Sequence, residues 1–88
     1  MQFSIILPTF NRAHMINNAI ESVINQTYEK WELIIVDDGS TDKTKDIIYK
    51  IIEKENRIQY LYQKNKERSA ARNNGIKNAK GDWICFLD

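Results

Sequence analysis

Two adjacent carboxylates, Asp37 and Asp38, stand at the end of the apolar run Leu33-Ile34-Ile35-Val36 and run straight into Gly39-Ser40-Thr41-Asp42. Four apolar residues, three of them β-branched, read as a strand buried on both faces. In open α/β sheets ligands bind at the carboxyl ends of the strands, so an acidic pair there is placed to grip one. A second cluster, Pro8-Thr9-Phe10-Asn11-Arg12, follows the first apolar run of the chain. Neighbouring parallel strands bring their carboxyl ends side by side. A flat ligand held between the two clusters can rest on Phe10 and donate a hydrogen bond to Asp38. A pyrimidine base offers both, a face for stacking and a ring N–H, and a wrong base would leave the carboxylate unpaired. The alternative for Asp37 and Asp38 is a polar turn followed by a helix cap.

Phosphate groups need donors. Arg68 and Arg72 flank Ser69-Ala70-Ala71 at the start of a helical segment, where backbone N–H groups also point outward, and Asn73 and Asn74 follow within one turn. The alternative is a solvated basic face shared with Lys64 and Lys66. Asp88 ends a strand and is a candidate ligand for a divalent cation, although one carboxylate makes no site alone. His14, the only histidine, is expected on the surface or at a cap. Cys85 lies in an apolar strand with no basic neighbour to activate it and is expected in the core. Trp31, Trp83, Tyr60 and Tyr62 lie in or beside strands and read as packing residues.

These residues must be carried by alternating strands and helices. Residues 3–7 form a first strand, stopped by Pro8. Ile16, Ala19, Ile20, Val23 and Ile24 recur at helical spacing and mark one face of a first helix. Residues 31–36 form the second strand. Ser40 or Thr41 is expected to cap a second helix, with Asp42 in its first turn and Ile47, Ile48, Ile51 and Ile52 on its buried face. Residues 58–62 make a third strand, residues 69–80 a shorter helix with Gly81 as its stop, and residues 83–87 a fourth strand. The alternation predicts an α/β fold: a Rossmann-like, mostly parallel sheet of about four strands with about three helices on its faces.

Composition narrows the function classes. The chain has 88 residues, 42% of them apolar and 28% charged, with a formal net charge of +1. No global field draws it to nucleic acid or to an anionic membrane, so a basic nucleic-acid binder using Lys64, Lys66, Arg68 and Arg72 is disfavoured. A single cysteine excludes an internal disulfide and fits a reducing, cytoplasmic compartment. No apolar run reaches the roughly 18–20 residues that a membrane-spanning helix needs. No Gly-x-Gly-x-x-Gly follows the first strand and no P-loop is present. A response-receiver fold would place its acidic pair after the first strand, and no Ser/His/Asp or Cys/His set exists.

Together these motifs resemble family 2 of the inverting glycosyltransferases, which have the GT-A fold. The resemblance is carried by SIILPTFNRA at residues 4–13, SVINQTYEKWELIIVDDGSTDKT at residues 22–44 and SAARNNGIKNAKGDWICFLD at residues 69–88, in that order and spacing. It implies that residues 1–88 are the nucleotide-sugar-binding, N-terminal part of a GT-A domain. It also implies roles: Pro8 and Phe10 line the base pocket, Thr9 and Asn11 belong to the same nucleotide-binding set, Asp38 accepts the base N–H, Asp37 supports that loop, and Arg72 lies near the sugar nucleotide. Asp88 matches the first acid of the family's Asp-x-Asp element, which contacts the ribose and, through its later acid, Mn²⁺ or Mg²⁺. The later acid and the general base are absent from these 88 residues, so this segment alone is expected to be inactive. The implied reaction of the whole protein is transfer from a nucleotide-diphospho-sugar donor, UDP-linked in the commonest case. The acceptor would be a saccharide or lipid-linked saccharide hydroxyl, the configuration would invert, and the setting would be polysaccharide or glycoconjugate synthesis. The competing expectation is a free-standing, non-catalytic nucleotide-binding or interaction module.

Overall fold

The computed structural model describes residues 1–65 and 68–87, with Arg68 described by its backbone. Strands and helices alternate throughout: β1 (Phe3–Thr9), α1 (Ala13–Ile24), β2 (Trp31–Asp37), α2 (Thr44–Ile52), β3 (Ile58–Tyr62), α3 (Arg68–Asn78) and β4 (Trp83–Phe86). All four strands are parallel, in the order β3-β2-β1-β4. The chain thus builds outward from β1 to β3, then returns to the other side of β1, which puts a topological switch point between β1 and β4.

Strand periodicity sorts the side chains onto two faces. Leu7, Trp31, Leu33, Ile35 and Ile58 pack with Ile16, Ile20 and Val23 of α1 and Ile48 of α2. On the other face Ile34 and Val36 pack with Ala71 of α3. The helix between β3 and β4 therefore lies opposite the other two. It sits close to the sheet because Gly75 has no side chain: a Cβ there would lie 2.5 Å from Cγ2 of the buried Ile6.

Four local expectations are corrected. Pro8 does not stop β1; it pairs with Val36 inside the strand. It lies past Ile6, the last β1 residue paired with β4, so its missing N–H removes no bond from that ladder. Helix α2 starts at Thr44, with no side-chain cap from Ser40 or Thr41. Gly81 does not end α3, which stops at Asn78. Its backbone runs against β1, donating to Ser4 Oγ at 2.7 Å, and a Cβ would meet Gln2 O at 2.8 Å. Cys85 is exposed rather than in the core, as are Trp83, Ile84 and Phe86. The helices pack over β1, β2 and β3, and the outer strand β4 keeps all four of its residues open. Trp31, by contrast, is 2% exposed and has the Arg57 guanidinium 3.9 Å from its ring centroid.

Candidate functional site

Three loops meet at the carboxyl edge of the sheet, after β1, β2 and β3. The first two are laced together by hydrogen bonds. Asp38 N donates to Thr9 O at 2.9 Å, which continues the ladder one residue past β2. Asn11 takes φ = 49°, a left-handed conformation that asparagine tolerates better than most residues. Its backbone N–H donates to Ser40 Oγ at 2.8 Å, and its side-chain Oδ1 accepts from Thr41 N at 2.8 Å. Asp42 completes the lacing, accepting from Thr44 N, from Thr44 Oγ1 and from Ala13 N. One carboxylate thereby serves the first turns of both α1 and α2. The Thr44 hydroxyl above all holds its pKa below the usual carboxylate value.

The acidic pair divides. Asp37 is fully buried; its Oδ2 accepts the Tyr60 hydroxyl at 2.5 Å and its Oδ1 accepts Ser40 N at 2.8 Å. Burial, followed by the bond to Asp37, pushes the Tyr60 phenol well above its ordinary pKa. Asp38 faces the other way. Its Oδ1 accepts Gln63 Nε2 at 2.9 Å, and it lines a cavity of about 360 Å³ together with Pro8, Thr9, Phe10, Arg12, Asn65 and Ala71. That volume lies at the small end of ligand sites, which run roughly 300–1,000 Å³. A larger groove of about 440 Å³ lies between β1 and α1, lined chiefly by Leu7, Met15, Ile16 and Ala19. It contains no carboxylate, whereas the smaller cavity combines an exposed aromatic ring with an acid and a cation, so the smaller one is the candidate site.

Of the residues singled out in the sequence, Pro8, Thr9, Phe10 and Asp38 line one cavity. Asn11 and Asp37 stand behind it and hold the loops. Arg72 is not in that lining; its guanidinium lies 5.3 Å from the Phe86 ring centroid, toward the end of β4. Asp88, and with it the proposed metal ligand, lies outside the described residues, as do Lys66 and the Arg68 side chain. His14 is exposed on α1. Arg12, the last residue of the first cluster, also lines the cavity; sequence reasoning did not single out Gln63, Asn65 or Ala71 for this place. The signal for Gln63 and Asn65 was available, because they follow a third parallel strand whose loop must share the same edge. Gly39 brings that loop close: with φ = +87°, it packs so that a Cβ would lie 2.7 Å from Asn65 N.

Among the described residues, no three His, Cys, Asp or Glu side chains are grouped to hold a metal ion. No described helix is long and apolar enough to cross a membrane.

A glycosyltransferase of Rickettsia bellii, uncharacterized by its name, is 46% identical over 97% of this chain, and one of Haemophilus influenzae is 46% identical over 97%. The chain spans 12% and 34% of their lengths. Among solved structures, S. aureus TarS in complex with UDP-GlcNAc superposes with a TM-score of 0.92 at 30% identity, covering all of this chain and 26% of that one. The match confirms the parallel α/β sheet as the N-terminal, Rossmann-like portion of a GT-A fold. The family model for glycosyl transferase family 2 matches residues 4–88, and the chain belongs to that family.

Proposed function

We propose that this chain is the donor-nucleotide-binding part of a glycosyltransferase and that the 360 Å³ cavity takes the base of a nucleoside-diphospho-sugar, uracil by preference. The observation that carries the reading is the placement of Asp38, anchored by Gln63 and standing beside Phe10 and Pro8 in one cavity at the strand tips. A base stacked on Phe10 would donate its ring N–H to Asp38. Support comes from the UDP-GlcNAc held by S. aureus TarS, which shares the fold over the whole of this chain.

In this reading the segment binds and orients the donor. An acceptor hydroxyl then displaces the nucleoside diphosphate at the anomeric carbon, with inversion, its proton passing to a base supplied by another part of the protein. Arg72, near the end of β4, is placed to meet the diphosphate or sugar rather than the base. The divalent cation expected for the family finds no group of three ligands among the described residues, and Asp88 lies outside them. The exposed free thiol of Cys85 fits a reducing, cytoplasmic compartment.

The test is UDP binding to the intact protein by calorimetry. Asp38→Ala removes a hydrogen bond to a charged group and is expected to weaken UDP about tenfold to a hundredfold. Asp42→Ala, whose carboxylate serves helix starts, is expected to weaken UDP much less than Asp38→Ala does. Equal effects of the two changes would refute the assignment.

A further inference from the structure

Gln63, the residue after β3, is tied in place twice. Its backbone N–H donates to Asp37 O at 2.9 Å, and its side-chain Nε2 donates to Asp38 Oδ1 at 2.9 Å. Its Oε1 in turn accepts Asn74 Nδ2 at 3.1 Å. Asn74 lies on α3, one turn before Asn78, whose Nδ2 donates both to Asn74 O at 2.9 Å and to Asn74 Oδ1 at 3.3 Å. Every amide N–H in this row points toward the carboxylate. Turning any one amide over would set two NH₂ groups, two carbonyls, or a carbonyl and a carboxylate against each other.

We infer that Gln63 and Asn74 are positioning residues, a directional amide relay that holds Asp38 as an oriented acceptor toward the cavity. The inference rests on the reading of Asp38 as the base contact. The Gln63 N–H donates to one carboxylate oxygen and so fixes the plane of the Asp38 carboxyl group. Asn74 supplies the direction, since its NH₂ occupies the Gln63 carbonyl and leaves only the Gln63 N–H to face Asp38.

The experiment is UDP binding to the intact protein by calorimetry at pH 8 and pH 5.5, each variant expressed as its ratio to wild type at the same pH. The other charged groups nearby among the described residues include Arg12, which lines the same cavity, Asp37 behind the loop, Lys64 next to Gln63 in sequence and Arg72 on α3. They are common to both proteins, so the ratio cancels them. Gln63→Met keeps the shape and loses the donor, and is expected to weaken UDP about tenfold at both pH values. Gln63→Glu is expected to lose at least as much at pH 8, where two carboxylates face each other, and to recover at pH 5.5, where a shared proton restores the donor. Asn74→Asp lets the Gln63 amide turn over and is expected to weaken UDP in the same direction. A role in folding alone would move none of these ratios with pH. In an Asp38→Ala background the Gln63 changes are expected to add nothing, because the relay acts only through that carboxylate. Near-wild-type binding by Gln63→Met and Gln63→Glu, with Asp38→Ala still defective, would overturn the relay and leave the site standing. The same holds if the Gln63→Met loss persists undiminished in the Asp38→Ala background. Wild-type UDP binding by Asp38→Ala would instead overturn the reading of the site, and the relay with it.

Discussion

Tyr60→Phe removes one oxygen atom and tests whether Asp37 is structural. In the native protein the Tyr60 hydroxyl donates to Asp37 Oδ2 at 2.5 Å, and Asp37 is 0% exposed. Phenylalanine keeps the ring, including its edge-to-face contact with Tyr49 at 5.4 Å, so apolar packing is preserved. What is lost is a donor to a buried carboxylate, a bond worth about 1.5–3 kcal/mol. Tyr60 is itself only half-buried, so water can reach part of the vacated space and the loss is expected toward the lower figure. In a GT-A domain longer than these 88 residues 1 kcal/mol moves the thermal midpoint by roughly 2–4 °C, so a drop of about 3–6 °C is expected. The pH dependence gives a second readout. The Tyr60 pKa is raised in the folded state, so the folded chain holds this proton more tightly than the unfolded one. The stability from the pair is therefore complete below the unfolded value near 10 and is lost as pH rises beyond it. Wild type should lose stability above about pH 10 more steeply than Tyr60→Phe. UDP affinity, measured below the melting transition, should stay within a few-fold of wild type. A midpoint shift under about 2 °C would refute the structural account of Asp37, and so would a loss of UDP binding as large as that of Asp38→Ala in a folded protein.

Gly75→Ala would place a Cβ 2.5 Å from Ile6 Cγ2, so overpacking of about 1–3 kcal/mol should exceed the gain of up to about 1 kcal/mol in helix propensity. Urea unfolding should show a net loss, and combining the change with Ile6→Ala, itself a core truncation, should cost less than the sum of the two single changes. Gly39→Ala meets both a positive φ of 87° and the Asn65 backbone at 2.7 Å, so it should cost about 1–2 kcal/mol from the left-handed conformation alone. By shifting the loop that carries Asn65, it should also weaken UDP in calorimetry although no ligand-facing side chain is removed.

The architecture was legible because β1, β2 and the α1 stripe follow simple periods. Phe3 through Leu7 and Trp31 through Val36 are apolar runs of strand length, and Ile16, Ile20 and Val23 recur on one side of a helix. The failures were of two physical kinds. Cys85 was assigned to the core and Trp83 to packing from local apolarity, but burial depends on what covers a strand, and the helices leave all four β4 residues open. The start of α2 and the role of Gly81 were assigned from local cap rules, but tertiary contacts decided both. Asn11 from another loop satisfies Thr41 N and Asp42 N, and the Gly81 backbone lies against Ser4. Within the site, Phe10 and Asp38 were accessible to sequence reasoning because each directly follows a strand. The row from Gln63 to Asn78 was not, because it joins residues eleven apart across a loop and a helix, and no single period relates them.

The different fates of Asp37 and Asp38 follow from the alternation of a strand. Successive side chains leave opposite faces of a sheet. Leu33 and Ile35 face α1 and α2, and Asp37 continues their side, where Tyr60 of β3 meets it. Ile34 and Val36 face α3, and Asp38 continues theirs, beside Ala71 and Gln63. Two neighbouring acids at such a strand tip are thus kept from closing on one ligand. This disfavours a shared cation and a general acid/base couple for the pair. The arrangement can instead use one carboxylate as a buried tie and the other as an acceptor. The tie secures the loop that carries the acceptor: Asp37 holds Ser40 N, and Ser40 Oγ holds Asn11 N. The β1 and β2 loops that wall the cavity are therefore fixed to each other through the carboxylate that does not enter it.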